Sequence, residues 1–187
     1  MIPSNAFTVA PVFSAFSPPY DRTFHSWSQT VLGGIAIGNG STGRQVQNWT
    51  MAYDGVTIRI GPEGSAATFS YAVSAASNVS LAFDANMAVV LCWMTGTGAN
   101  LYYYDTVSLA YAYRSFAGYT SCRVAVDDAR LVATANSDVI FAYTRAGMLY
   151  YRQQRDRYNT EYTIGTTTKK LKQMAPNIGN RLQFELR

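Results

Sequence analysis

The sequence predicts an all-β protein built from repeated three-stranded, blade-like units, propeller-like or sandwich-like, behind an irregular N-terminal arm. Three observations predict it. First, an apolar alternating run, a Gly-bearing turn and a second run recur at Trp49–Ile60 (WTMAYDGVTIRI), Val89–Asp105 (VVLCWMTGTGANLYYYD) and Asp138–Gln153 (DVIFAYTRAGMLYYRQ). Second, aligning them makes Val56, Leu101 and Leu149 equivalent, 45 and 48 residues apart, a period at which one small β-unit is used repeatedly. Third, alternation of period two begins at residue 46, and helix patterns are almost absent before Thr166.

Residues 1–45 form the expected arm. Pro3, Pro11 and Pro18-Pro19 fix φ and remove donors, while Gly33-Gly34 and the GNGSTG stretch at 38–43 open positive φ. A short strand is expected within Val31–Ile37. Residues 46–187 form the β-repeat domain, with units at about 46–61, 79–105 and 122–165 and a closing strand at 181–186. In the first unit Asp54-Gly55, between alternating runs, is a strong hairpin signal because both turn residues must reach positive φ. The other two carry a second turn, Asp84-Ala85-Asn86 and Asp127-Asp128-Ala129-Arg130, whose Asp and Asn side chains bond their own backbone. Each unit therefore reads strand, Asp turn, strand, Gly turn, strand, and then a less regular connector. TTTKKLKQMAPN (166–177) reads equally as a short Thr-capped helix or an extended basic loop. RLQFEL (181–186) places Leu182, Phe184 and Leu186 on one face, as a final strand.

Composition points to association. Charged residues are only 14% of the chain and aromatics are also 14%, a balance poorly suited to a freely soluble monomer. The net charge of +4 is uneven: residues 152–187 carry eight Lys or Arg against three acids, and residues 1–151 carry seven against eight. A basic tail of this kind meets an acidic neighbouring subunit or guards a solvated strand edge. Nucleic acid ranks well below both, because Tyr158 and Tyr162 beside the basic run make no recognised stacking module. The N-terminus shows neither a basic leader nor a continuous apolar stretch, so no signal peptide and no membrane helix are expected, and the sequons at Asn39, Asn48 and Asn78 are expected to stay unmodified.

Catalytic signals are weak. The single histidine, His25, has no Cys or carboxylate at ligand spacing. Asp54, Asp84, Asp105, Asp127, Asp128 and Asp138 mostly sit in or beside turns, where local hydrogen bonds explain them. Cys92 and Cys122 lack CxxC spacing, and Cys92 reads as a small buried hydrophobe. GNGSTG is followed by neither Lys-Ser nor Lys-Thr. No enzyme activity, cofactor or metal is expected.

The aromatic and arginine patterns are stronger. Tyr102-Tyr103-Tyr104 and Tyr150-Tyr151 fall at the same repeat position; inward rings pack within the sheet, and outward ones offer an interface or a sugar-stacking platform. Read as a strand, 152–157 places Arg155 and Arg157 on one side with Gln153, and Arg152 on the other with Gln154 and Asp156. Arginine forms bidentate carboxylate pairs at assembly contacts that lysine cannot copy. The candidate assembly interface is therefore Tyr102, Tyr104, Tyr150, Arg152, Arg155 and Arg157.

The segments DVIFAYTRAGMLYYRQQRDRYNTEYTIG (138–165) and KLKQMAPNIGNRLQFELR (170–187), with LAFDANMAVVLCW and ANLYYYD, resemble the blade-type β-repeats of tailed-bacteriophage virion proteins. The resemblance covers 80–187 well and 46–61 loosely. It implies a virion structural component of the tail (nozzle, hub or tip), held in a symmetric ring of copies with other virion proteins, and meeting a host-surface glycan at most. With three clear repeats against the four to eight blades of a closed propeller, the sheets are expected to be completed by a degenerate unit in 1–45 or by neighbouring copies. The other class in view is a carbohydrate-binding module using the Tyr ladders.

Overall fold

The computed structural model describes residues 25–26, 33–38, 47–62, 67–84, 88–127, 138–176 and 182–187. The protein is all-β, and every sheet is an antiparallel meander of consecutive strands. Sheet 1 runs β1 (His25–Ser26), β2 (Gly33–Gly38), β3 (Gln47–Tyr53), β4 (Thr57–Pro62) and β5 (Phe69–Ala72). Sheet 2 runs β6 (Ser77–Phe83), β7 (Val89–Thr95), β8 (Gly98–Asp105) and β9 (Ala110–Ala117). Sheet 3 runs β10 (Ser121–Asp127), β11 (Asp138–Arg145), β12 (Met148–Gln153) and β13 (Tyr162–Thr166). Sheet 4 has only β14 (Leu171–Pro176) and β15 (Leu182–Leu186).

The sheets stack face to face in chain order. One core holds Met51, Ile58 and Ile60 of sheet 1 against Leu81, Leu91 and Trp93 of sheet 2. A second holds Val90, Leu101 and Tyr103 of sheet 2 against Val124, Phe141 and Tyr143 of sheet 3. A third holds Ala125, Ile140 and Leu149 of sheet 3 against Leu171, Met174 and Phe184. Sheets 2 and 3 thus bury both faces, which is why β7 and β11 read as continuous apolar runs while the half-exposed β9 alternates. Each fully buried Phe or Leu contributes about 2–3 kcal/mol. The outward faces are different. Sheet 1 presents Thr50, Ala52, Arg59 and Ser70 to solvent, and sheet 4 presents Gln173 and Gln183.

The first strands of neighbouring sheets are joined by side chains. The Ser80 hydroxyl accepts from the Val124 N–H at 3.1 Å, and the Ser121 hydroxyl accepts from the Leu171 N–H at 2.8 Å. Arg123 bridges three sheets, donating from Nη1 to the Asn78 carbonyl at 3.0 Å and from Nε to the Lys172 carbonyl at 2.6 Å. Cys92 and Cys122 are both free and buried at the centre of the sheet 2–3 core. Burial, and then the neighbouring Cys122, push the Cys92 thiol well above its ordinary value.

Several expectations are revised. The less regular connector is a fourth strand, β9 in sheet 2 and β13 in sheet 3; its residues alternate, but its polar and small members hide the pattern. Matching the hairpin turns makes Thr57, Gly98 and Met148 equivalent, so the spacings are 41 and 50 residues and the Tyr ladders are offset by one residue pair. The 166–177 segment is not a helix where it is described: Thr166 ends β13, 167–170 form an exposed loop carrying Lys169 and Lys170, and β14 follows because Leu171 and Met174 are buried against sheet 3. β1 and β2 fall inside the expected arm, yet β2 pairs with β3, so sheet 1 reaches back to His25. The expected strand in 31–37 corresponds to β2, with 31–32 outside the described residues. β15 does close the stack, and Leu182, Phe184 and Leu186 share its inward face. The centres of the two Asp turns, 85–87 and 128–130, lie outside the described residues.

Candidate functional site

The site grows from the turn that follows β12. There the chain leaves the sheet at Gln153, makes a single 3-10 turn over Gln154–Asp156, and passes through two consecutive left-handed residues, Arg157 (φ 60°) and Tyr158 (φ 58°). Left-handed backbone costs a non-glycine residue of order 1 kcal/mol, and two in succession persist only where surroundings over-determine them. Here Tyr158 drives its ring into the core, edge-on to Tyr103 at 4.8 Å. Its carbonyl accepts from Arg114 of β9 at 3.1 Å and from Arg152 at 3.0 Å. Sheet 2 therefore clamps the loop of sheet 3.

This loop walls a cleft of about 270 Å³ at one end of the sheet 2–3 interface. Asp105 at the end of β8 accepts from the Arg157 Nη2 at 2.5 Å and from the Val107 N–H at 3.0 Å. Asp138 at the start of β11 accepts from the Arg155 N–H at 3.0 Å and its Nε at 2.6 Å. Asp84 accepts from the Ala88 N–H at 2.9 Å and from Gln154 Nε2 at 3.2 Å. Burial raises the Asp105 carboxyl, but the Val107 N–H and Arg157 outweigh it and hold the group below its ordinary value. Each of these three aspartates has both oxygens engaged by backbone or side-chain donors. These three pairings brace loops, while Asp156, the fourth aspartate of the cleft, accepts from the Thr160 N–H through Oδ2 and has a buried Oδ1 with no hydrogen-bond partner. Among the described residues no group of three or more His, Cys, Asp or Glu is set to hold a metal ion.

The expected interface residues are scattered by the fold. The strand reading of 152–157 fails because β12 ends at Gln153. Arg152 is 15% exposed and engaged within the chain: it donates to Tyr143 Oη, to Glu161 Oε2 and to the carbonyls of Tyr158 and Asn159. Burial raises the Glu161 carboxyl, but the Tyr143 hydroxyl with Arg145 and Arg152 overrides it and holds it below the usual range. Burial first, then Glu161, pushes the Tyr143 hydroxyl far up. Arg155 and Arg157 sit at the cleft, 59% and 46% exposed, each paired to a buried aspartate. Tyr150 packs on Tyr143. Tyr102 is enclosed by rings, with Tyr71 at 4.4 Å and Tyr111 stacked at 4.8 Å, so its faces form no open platform. Tyr104 lines the cleft and meets Tyr111 edge-on at 5.4 Å.

Family models, curated proteins and solved structures offer this chain no match.

The surface that the residue pattern did not single out is apolar. Val107 and Leu109 in the β8–β9 turn are each 72% exposed, and Tyr113 on β9 is 52% exposed, with Tyr111 beside it. On β13, Tyr162 and Ile164 are likewise exposed. Tyr111 and Tyr113 lie on β9 and Tyr162 and Ile164 on β13, the fourth strands, while Val107 and Leu109 lie in the turn that leads into β9. The alternation AYAYRSFA, putting Tyr111 and Tyr113 on one face, was the available signal.

Proposed function

We propose that this chain is a structural assembly subunit of a tailed-phage virion, working in the tail by association with copies of itself and with other virion proteins. One observation carries the reading. Among the described residues, the large exposed apolar side chains other than Val56 are gathered on the fourth strands of sheets 2 and 3 and in the turn that leads into β9. Water-exposed Leu, Val, Ile and Tyr grouped at strand edges mark surfaces meant to be covered by protein. The stacked meanders, consistent with blade-type repeats, support a rigid building block, and the ion pairs of Asp105 and Asp138 with Arg157 and Arg155 support a structural role for those charges. The test is an image of the intact particle carrying an antibody or gold label against this chain. Label at the tail supports the reading; particles that lack the chain overturn it.

A further inference from the structure

The chain has two cysteines, and the fold brings both into one core. Cys92 sits in the middle of β7 in sheet 2, and Cys122 is the second residue of β10 in sheet 3. They are 30 positions apart in the chain, with all of β8 and β9 between them. Both are free and 0% exposed, and both belong to the core that joins sheets 2 and 3.

Strand register sets how they face each other. Ser80 of β6 stands opposite Cys92 in the β6–β7 pairing, so the two side chains share the face turned toward sheet 3. The Ser80 hydroxyl donates to the Val124 carbonyl at 3.3 Å and accepts from the Val124 N–H at 3.1 Å. Cys122 lies two residues before Val124, on the face of β10 turned toward sheet 2. The contact between β6 and β10 therefore lies beside Cys92, and Cys122 approaches Cys92 across the interface. Of the side chains around the Cys92 thiol, Cys122 acts on it most strongly, ahead of Arg123 and Ser80. Among the described residues no third ligand accompanies the pair, so the two sulfurs do not build a metal centre.

We propose that Cys92 and Cys122 are a modification site, an inter-sheet cross-link closed by oxidation of the two thiols to one disulfide. A small-molecule disulfide such as oxidised glutathione is the oxidant. One cysteine thiolate attacks it, giving a mixed disulfide and releasing one thiol. The second cysteine thiolate then attacks the protein sulfur of that mixed disulfide and releases the other thiol. The pair gives up two electrons and two protons, and the oxidant leaves as two thiols.

Burial decides when the bond forms. The thiolate is the nucleophile, and a thiol in apolar surroundings stays protonated and out of reach. The closed core is therefore inert, and oxidation takes place while sheets 2 and 3 are apart, during folding or transient opening. Once the sheets close, the same burial shields the bond from reductants. The cross-link ties the two central sheets of the stack covalently, and it does not depend on the assembly role proposed above.

The experiment refolds the full chain from urea in a glutathione redox buffer, beside a sample held in excess dithiothreitol. Intact mass and thiol titration in denaturant count the free thiols. The oxidised chain is expected to be two hydrogens lighter, with no free thiol, no attached glutathione and no link between chains; the reduced chain keeps two thiols. Closing a loop of about thirty residues is expected to lower the unfolding equilibrium constant roughly a hundredfold or more, read as a higher urea midpoint without reductant. Folded reduced chain placed in the same buffer without urea is expected to oxidise roughly tenfold more slowly or worse. Cys92→Ala and Cys122→Ala should each remove the difference in midpoint between the two buffers. A refolded wild type that keeps two thiols, carries glutathione at them, or links only between chains overturns the cross-link, and that result requires no variant to fold. An oxidised chain no more stable than the reduced one overturns it as well, because the bond would then strain the core it is said to tie.

Discussion

The two faces of sheet 3 are made from the same strands and meet different partners. Toward sheet 2, burial is complete over β11 and reaches Tyr150 of β12 in part: Phe116 of β9 lies against Tyr119 and Phe141, and Tyr143 is fully buried. Toward sheet 4, burial stops halfway, at Leu149 and Tyr151, and the outer strand is left in water. The difference teaches that a strand's place in its sheet, together with what covers it, sets whether an aromatic is core or surface. Tyr143 and Tyr162 are the same residue type in one sheet, yet the first lies on the inner strand β11 and the second on the edge strand β13, which is exposed along most of its length.

The largest test of this comparison is Phe141→Ala. It opens a cavity in the continuous face and should cost about 3–5 kcal/mol, read from urea denaturation. A loss below about 1 kcal/mol would mean that this face is not packed as described. Next is Arg123→Ala, which strips the carbonyls of Asn78 and Lys172 of their shared donor. A loss of about 2–3 kcal/mol is expected, with sheet 4 exchanging its amide protons faster than sheet 2. Phe184→Ala on the half-covered face should cost less, about 1–2 kcal/mol, because the side chain is only partly buried and the site can collapse. If Phe184→Ala proves as costly as Phe141→Ala, the asymmetry between the two faces is wrong.

The smallest effect is a pH dependence at the outer rim of the well-covered face. Glu161 titrates below its ordinary 4.5 in the folded chain, so its contribution is complete above that value and drains away as pH falls through the lower folded one. Glu161→Gln should therefore be less stable than wild type at neutral pH, with the gap closing as pH falls below 4.5 through the lower folded value. Denaturation curves at both ends of this range decide it, and a gap independent of pH would assign the loss to packing.

Much of the architecture is legible in the residues. The hairpin at Asp54-Gly55 forms, but only Gly55 (φ 98°) takes the positive φ expected of both turn residues; the Asp54 carboxylate instead takes the Val56 N–H, pairs with Arg59, and takes the Thr57 N–H, and its pKa falls to about 2. Gly98 lies where a Cβ would stand 2.1 Å from the Phe116 carbonyl oxygen, so the Gly turn also admits the fourth strand. The candidate site is far less legible. Arg152, Arg155 and Arg157 are visible as a cluster, but their partners Glu161, Asp138 and Asp105 include residues 17 and 52 positions away.

Local pattern alone determines that this chain makes hairpins, where they turn, and that β7 and β11 are covered on both sides. These follow from turn stereochemistry and hydrophobic periodicity, which act over a few residues. Tertiary structure alone decides which sheet covers which face, because burial depends on a strand's place in its sheet and on what covers it. It therefore decides that Arg152 braces a loop, that Tyr102 is enclosed, and that Leu109 and Ile164 are left in the open.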